Sequence, residues 1–163
     1  MTRTFCRSFF QVALALGAAF ATLHATAQTT NDPRGRWITA SGNLEVEVAP
    51  CGSALCGTVT RVLGNRSMSR DGEAMKPADD RPALGMTLLR DFVPDAPADE
   101  GAAPTAWSGE IYNRENGKTY RCDMTMGDTG ELVLRAYVGL PIFGKTQRWQ
   151  RASAAPAAAA LRQ

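Results

Sequence analysis

Histidine is almost missing from this sequence: the one copy, His24, stands within the first 27 residues. If that segment is removed, the remaining chain has no imidazole. That excludes Ser-His-Asp and Cys-His catalysis, histidine acid–base chemistry and most transition-metal sites. Long apolar runs are scarce as well. The run from Phe9 to Ala21 is interrupted by Gln11 and is shorter than the about 20 apolar residues that cross a bilayer as a helix. There is no Gly-rich phosphate loop, no cluster of metal ligands and no stripe of interleaved basic and aromatic residues. Carboxylate pairs occur at Asp79-Asp80 and Asp99-Glu100. Both lie in loop-like segments, with nothing to fix two carboxyls across a cleft as glycoside hydrolysis requires. A convincing amphipathic helix is also absent.

What the N-terminus does contain is directional. Arg3 and Arg7 precede the apolar run, and Ala25-Thr26-Ala27 follows it. A positive region, an apolar region and an A-x-A site describe a secretory signal peptide spanning residues 1–27, cleaved near Ala27. No cysteine follows the apolar run to serve as a lipid anchor. Of 18 Lys+Arg, Arg3 and Arg7 would leave with the signal, so 16 remain against 16 Asp+Glu. A near-neutral exported protein gives no electrostatic reason to bind nucleic acid. Residues 28–34 read as a loose polar segment, 35–151 as one domain, and 152–163 as a disordered Ala-rich tail broken by Pro156.

Within the domain the pattern is that of strands. Leu44-Glu45-Val46-Glu47-Val48 alternates, placing Leu44, Val46 and Val48 inward and Glu45 and Glu47 in water, with Pro50 ending the strand. Further strands are read from Trp37, over Thr58–Leu63, Met86–Val93, Trp107–Tyr112, Lys118–Met126, Glu131–Tyr137 and Lys145–Arg151. Asn116-Gly117 is a hairpin signal. Residues 64–85 form a long polar connection that reads as mobile. The domain closes on Arg148-Trp149-Gln150-Arg151, and Gly35-Arg36-Trp37 is its natural partner. Joining first and last strands removes both sheet edges. The expectation is an all-β, single antiparallel up-and-down barrel of about eight strands.

Cys51 and Cys56 bracket a hairpin in an exported chain, which favours a structural disulfide over the redox use of Cys-x-x-Cys at a helix start. On the chain-entropy model so small a loop contributes about 2 kcal/mol. Cys122 falls on the inward face of its strand and reads as a buried, inert thiol.

Several motifs form one series. They are Gly35-x-Trp37, Cys51-Gly52-x-x-Leu55-Cys56-Gly57, Arg81-Pro82 with Gly85, and Trp107-x-Gly109-x-Ile111-Tyr112. Gly117-Lys118-x-Tyr120, Arg135-x-Tyr137-x-Gly139 and Phe143-Gly144-x-Thr146-x-x-Trp149-x-Arg151 continue it. The series resembles the secreted bacterial domain-of-unknown-function family 2147 across residues 35–151, departing from it at Ala136 and at Asn113-Arg114. That resemblance implies export and fold but no reaction. A second resemblance, to lipocalin-like barrels, rests on Gly-x-Trp in the first strand and an Arg in the last. It implies that Arg151, or else Arg148, covers Trp37 through a cation–π contact of roughly 0.5–2 kcal/mol.

Trp107, Ile111, Tyr120, Met124 and Met126 either line an apolar ligand cavity or fill the barrel, since eight-stranded barrels do both. Arg135 is the candidate anchor for an anionic head group. No catalytic residue, metal or cofactor is implied. The functional expectation is an exported, non-enzymatic barrel in the cell envelope, periplasmic or secreted and not membrane-spanning, that binds a small apolar or amphipathic molecule. The alternative is an envelope protein-interaction or scaffold module with a filled interior.

Overall fold

The computed structural model describes residues 31–95 and 103–153; the expected signal peptide and nearly all of the expected tail lie outside them. Eight strands follow one another around a closed antiparallel barrel: β1 (Gly35–Ile38), β2 (Leu44–Cys51), β3 (Ala54–Val62), β4 (Thr87–Pro94), β5 (Ala106–Asn113), β6 (Lys118–Met126), β7 (Leu132–Tyr137) and β8 (Lys145–Arg151). One 3-10 turn, Pro141–Phe143, lies in the β7–β8 connection. Because each strand pairs with its sequence neighbour, all connections are local until β8 returns to β1, where Trp37 pairs with Arg151 and Ile38 with Gln150.

Alternation of strand direction sorts the connections into two ends. One, here the loop end, carries the turns after β1, β3, β5 and β7. The other, the entry end, carries residues 31–34, the Gly52-Ser53 hairpin, the turns after β4 and β6, and the exit after Arg151.

The closing contact is built at the entry end. Trp37 is fully buried, and the Arg151 guanidinium lies 4.2 Å from its ring centre. The indole Nε1 donates to the Pro33 carbonyl at 2.8 Å, while Arg151 donates to the carbonyls of Arg34 and Asp32. One arginine therefore joins the last strand, the first strand and the chain ahead of it. Residues 31–34 are thereby tied to the barrel, although composition alone reads them as loose. Arg148, the other candidate to cover Trp37, instead donates to Glu131 at 2.6 Å.

The interior is largely filled. Trp37, Val46, Val59, Leu89, Phe92, Cys122, Met124, Leu132, Leu134 and Trp149 are nearly or fully inaccessible and pack as one core. Two glycines make room for it. A Cβ on Gly57 would lie 2.8 Å from Leu89, and one on Gly109 would lie 2.7 Å from the Phe92 ring. Large side chains on β4 thus pack directly over the backbones of both flanking strands.

Three expectations need correction. Glu45 does not face water: it is 3% exposed, covered by Arg36 and Arg61, which pair with its two carboxylate oxygens at 3.4 and 3.1 Å. The alternation along β2 holds, and Glu45 is buried on the outer face because arginines from the strands on either side, β1 and β3, lie over it. Pro50 does not end β2, because the Cys51–Ala54 pairing carries the ladder past it. The long connection after β3 is anchored rather than loose. Asn43 is bonded through its side chain to the Arg66 backbone at both polar atoms, and Glu115 accepts from Ser67, Ser69 and the Met68 amide. Asp79 accepts from the Tyr112 hydroxyl, and Arg81 lies over the Tyr112 ring. Ala83 and Met86 from this strap join the core.

Replacing Arg151 tests the closure. Arg151→Ala is expected to cost about 1–2 kcal/mol through lost cation–π contact and lost cover over the indole. Arg151→Lys should recover only part, because an ammonium cannot stack as a planar guanidinium does. Denaturant midpoints measure both, with the exposed Arg90→Ala as a silent control; an Arg151→Ala midpoint equal to the control's refutes the role given to this contact.

Candidate functional site

An apolar recess lies at the entry end. There β2 and β3 meet in a two-residue hairpin whose flanking Cys51 and Cys56 are disulfide-bonded, with Cα atoms 5.7 Å apart. The hairpin forms one wall of a cleft of about 410 Å³. Leu55, Phe92 and Trp107 supply its deeper surface, and Pro50, Pro94 and Pro104 its sides. Asp32, Pro33 and Arg34 form the rim nearest the Trp37–Arg151 contact. Trp107 pairs with Met124 across β5–β6, so the cleft floor continues into the packed core.

The register of β4 explains how Phe92 reaches this site. Leu88 and Leu89 are both buried, Arg90 and Asp91 are exposed, and Phe92 is buried again. Asp91 has φ +55 and the β4–β5 register shifts between Arg90 and Val93, which together mark a bulge that turns Phe92 inward.

The rim has little net charge. Arg34 donates from Nε to both Asp32 carboxylate oxygens and from Nη2 to one of them at 2.7 Å. These bonds to Arg34 hold the Asp32 carboxyl below its usual range and raise the Arg34 guanidinium.

The candidate residues named from sequence separate in space. Trp107 lines the cleft. Met124 is fully buried and Ile111 nearly so, and both belong to the core; Tyr120 and Met126 pack against it from its margins. Arg135 faces outward at the loop end, donating to the carbonyls of Pro141 and Ile142 and to the Thr146 hydroxyl. Trp149 is buried and bonds Gln147. Leu55, Phe92 and the rim pair were not among those candidates. The broken alternation of Leu88 to Phe92 was the one available sign for Phe92, and Asp32 and Arg34 carried none.

A profile of the family described as an uncharacterized protein conserved in bacteria, DUF2147, matches residues 35–151. The chain belongs to this family. The matched span of the DUF2147 domain begins and ends with β1 and β8, so it encloses one complete barrel. Among solved structures, protein HP1028 from Helicobacter pylori, described as belonging to the lipocalin family, is similar to it. That protein is 19% identical, with a TM-score of 0.52 over 77% of this chain and 86% of its own. At that identity the likeness establishes a lipocalin-like fold. No curated protein matches the sequence.

Cys122 is fully buried, and burial, followed by the neighbouring Asp123 charge, pushes its thiol up to about 12. In native protein it should resist alkylation while Cys51 and Cys56 remain oxidised. After denaturation without reductant, peptide mapping should find label on Cys122 and none on the other two; label on Cys51 and Cys56 refutes the pairing.

The strap makes a separate prediction. Bonds from Ser67 and Ser69 lower the Glu115 carboxyl, and bonds from Arg81 and Tyr112 lower Asp79 further still. With both folded values depressed, the released strap binds more protons. Its anchorage is therefore complete above the ordinary carboxylate range and lost only as pH falls through the folded values. The Met68 amide, which donates to Glu115, should report a midpoint below the ordinary 4.5 in an NMR titration. A midpoint at or above that value refutes the anchorage.

Proposed function

We propose that this protein is an exported, non-enzymatic binding barrel that takes one small apolar or amphipathic molecule in the entry-end cleft. The observation that carries the reading is the cleft itself, an open recess of about 410 Å³ walled by Leu55, Phe92, Trp107 and three prolines. Its size falls in the range of small-molecule sites, and an apolar wall with a few polar groups at the rim is their usual make-up. The lipocalin-like fold fits such a use, since barrels of eight strands hold one small ligand.

The rim narrows the ligand class. Arg34 is already committed to Asp32, so an anion would have to compete with a carboxylate that is held in place. A neutral or weakly polar molecule meets no such cost, because its apolar part displaces water from the cleft and its polar end meets the paired rim. The packed centre limits depth: the ligand sits in the barrel's end rather than along its axis. Export is supported by the signal-like residues 1–27 and fits the disulfide, which persists in oxidising compartments. Binding without turnover is supported by the lack of histidine beyond His24.

A neutral fluorescent naphthylamine tests the site. It should bind saturably, with emission shifted to the blue and energy transfer from tryptophan. Leu55→Asn, a partly exposed position on the cleft wall, should weaken binding roughly tenfold by placing a polar amide against the ligand. Thermal midpoints establish that the variant is folded. Absence of saturable binding, or equal binding by folded Leu55→Asn, refutes the assignment. Native mass spectrometry of protein from its own source should show a bound small molecule that Leu55→Asn loses.

A further inference from the structure

The opposite end of the barrel carries a feature that neither the fold nor the cleft uses. Val138, Leu140, Ile142 and Phe143 in the β7–β8 turn are 76%, 61%, 71% and 76% exposed. Of nine exposed large apolar side chains among the described residues, eight lie at this loop end, Val93 being the exception. Single exposed apolar residues are ordinary, but four in six consecutive positions at one protruding turn are not.

The turn is shaped rather than slack. Arg135 donates to the Pro141 and Ile142 carbonyls at 2.6 and 3.1 Å. The Phe143 and Gly144 amides close back onto the Leu140 and Pro141 carbonyls, and Pro141 has no N–H to satisfy. Much of the tip's backbone polarity is therefore paired internally. A segment entering hydrocarbon must meet that condition, because unpaired backbone groups are costly there. The same pairing leaves no free edge for strand addition by another protein.

Charge points the same way. Residues 135–145, the turn with the strand ends that flank it, carry Arg135 and Lys145 and no carboxylate. Lys145, two residues beyond Phe143, is exposed. Arg135 spends its hydrogen bonds on neutral oxygens, so its charge is not cancelled. The other loop-end connections carry carboxylates, of which Glu73 and Asp79 are paired with Arg70 and Arg81 and Glu115 is bonded to Ser67 and Ser69. An apolar tip with cationic arms is the arrangement that lets side chains sink among acyl chains while basic groups meet anionic head groups. The barrel wall cannot enter with it, since outward positions hold exposed Glu47, Arg90, Glu110 and Arg121.

We propose that the β7–β8 turn docks the barrel on an anionic lipid bilayer, inserting Leu140, Ile142 and Phe143 with Arg135 and Lys145 at head-group level. The entry-end cleft then faces away from the surface, so this inference does not depend on the ligand reading.

Sedimentation with vesicles of mixed phosphatidylcholine and phosphatidylglycerol tests it. The protein should pellet with these vesicles, less with phosphatidylcholine alone, and less as salt is raised. The double change Ile142→Ser with Phe143→Ser should lower the partition coefficient roughly tenfold or more. These side chains are exposed, so its thermal midpoint should not move. Lys145→Glu should weaken binding to the anionic vesicles alone, and Val93→Ser should change nothing. A fluorophore on Phe143→Cys should shift to the blue on vesicle addition. Protein remaining in the supernatant with anionic vesicles, or equal pelleting by the double variant, overturns the proposal. So does concentration-dependent self-association that the double variant abolishes without any vesicle binding, which would assign the tip to a second copy of the chain.

Discussion

Closure of the sheet depends on a contact between residues 114 positions apart, the Arg151 guanidinium lying against the buried Trp37 indole. An indole of that size cannot be left open to water at the end of a small core, and its N–H must find an acceptor once covered. Arg151 meets the first need and Pro33 the second. Because Arg151 also bonds the backbone at residues 32 and 34, the chain's entry into the barrel and its exit are held by one group. Only two residue pairs join β1 to β8, against eight between β2 and β3, so the seam has few ladder hydrogen bonds and relies on side-chain contact.

Closure also dictates how the interior is filled. A ring of eight strands leaves a lumen just wide enough for side chains. Here glycine at 57 and 109 lets Leu89 and Phe92 approach neighbouring backbones, and Met124 occupies the remaining centre without exposure. The bulge at Asp91 follows from the same demand. Keeping strict alternation after Leu89 would turn Phe92 outward, and the extra residue returns it to the core. Consequently the apolar recess lies at the entry end, where the β2–β3 hairpin and residues 31–34 rise around the core.

Local signals in the sequence therefore reached the strands more readily than the site. Lys118–Met126 and Lys145–Arg151 were legible to the residue, because apolar alternation and flanking turn residues act within a few positions. The Cys51–Cys56 pair was legible for a similar reason, its reach being set by spacing. Glu45 and Phe92 were not, since Glu45 is covered by arginines of two neighbouring strands and Phe92 depends on a bulge in β4. The strap after β3 failed differently. Its polar composition resembles that of a mobile loop, yet its serines, Asn43, Asp79 and Glu115 find one another only once four strands are in place. Arg135 shows the limit most plainly: an arginine between Leu134 and Ala136 gives no sign of which face it takes, and the structure turns it to brace a turn six residues away.

A closed barrel has no strand edge to offer, and this one has a charged outer wall, so its open apolar surface is concentrated at its two ends. They differ in both chemistry and support. The entry end is fixed by a disulfide, an ion-paired rim and the Trp37–Arg151 contact, which suits a preformed recess whose shape must survive in the absence of ligand. The loop end holds its strap through carboxylates bonded to hydroxyls and an arginine, and presents its apolar residues on a turn braced by Arg135. Core residues such as Met124 and Leu134 separate the two ends, and changes at distant sites that share no contact partner usually act independently. Substitutions confined to the side chains at one end should therefore leave the other end's behaviour intact, so a change at Leu55 and a change at Phe143 interrogate two independent surfaces of one rigid body.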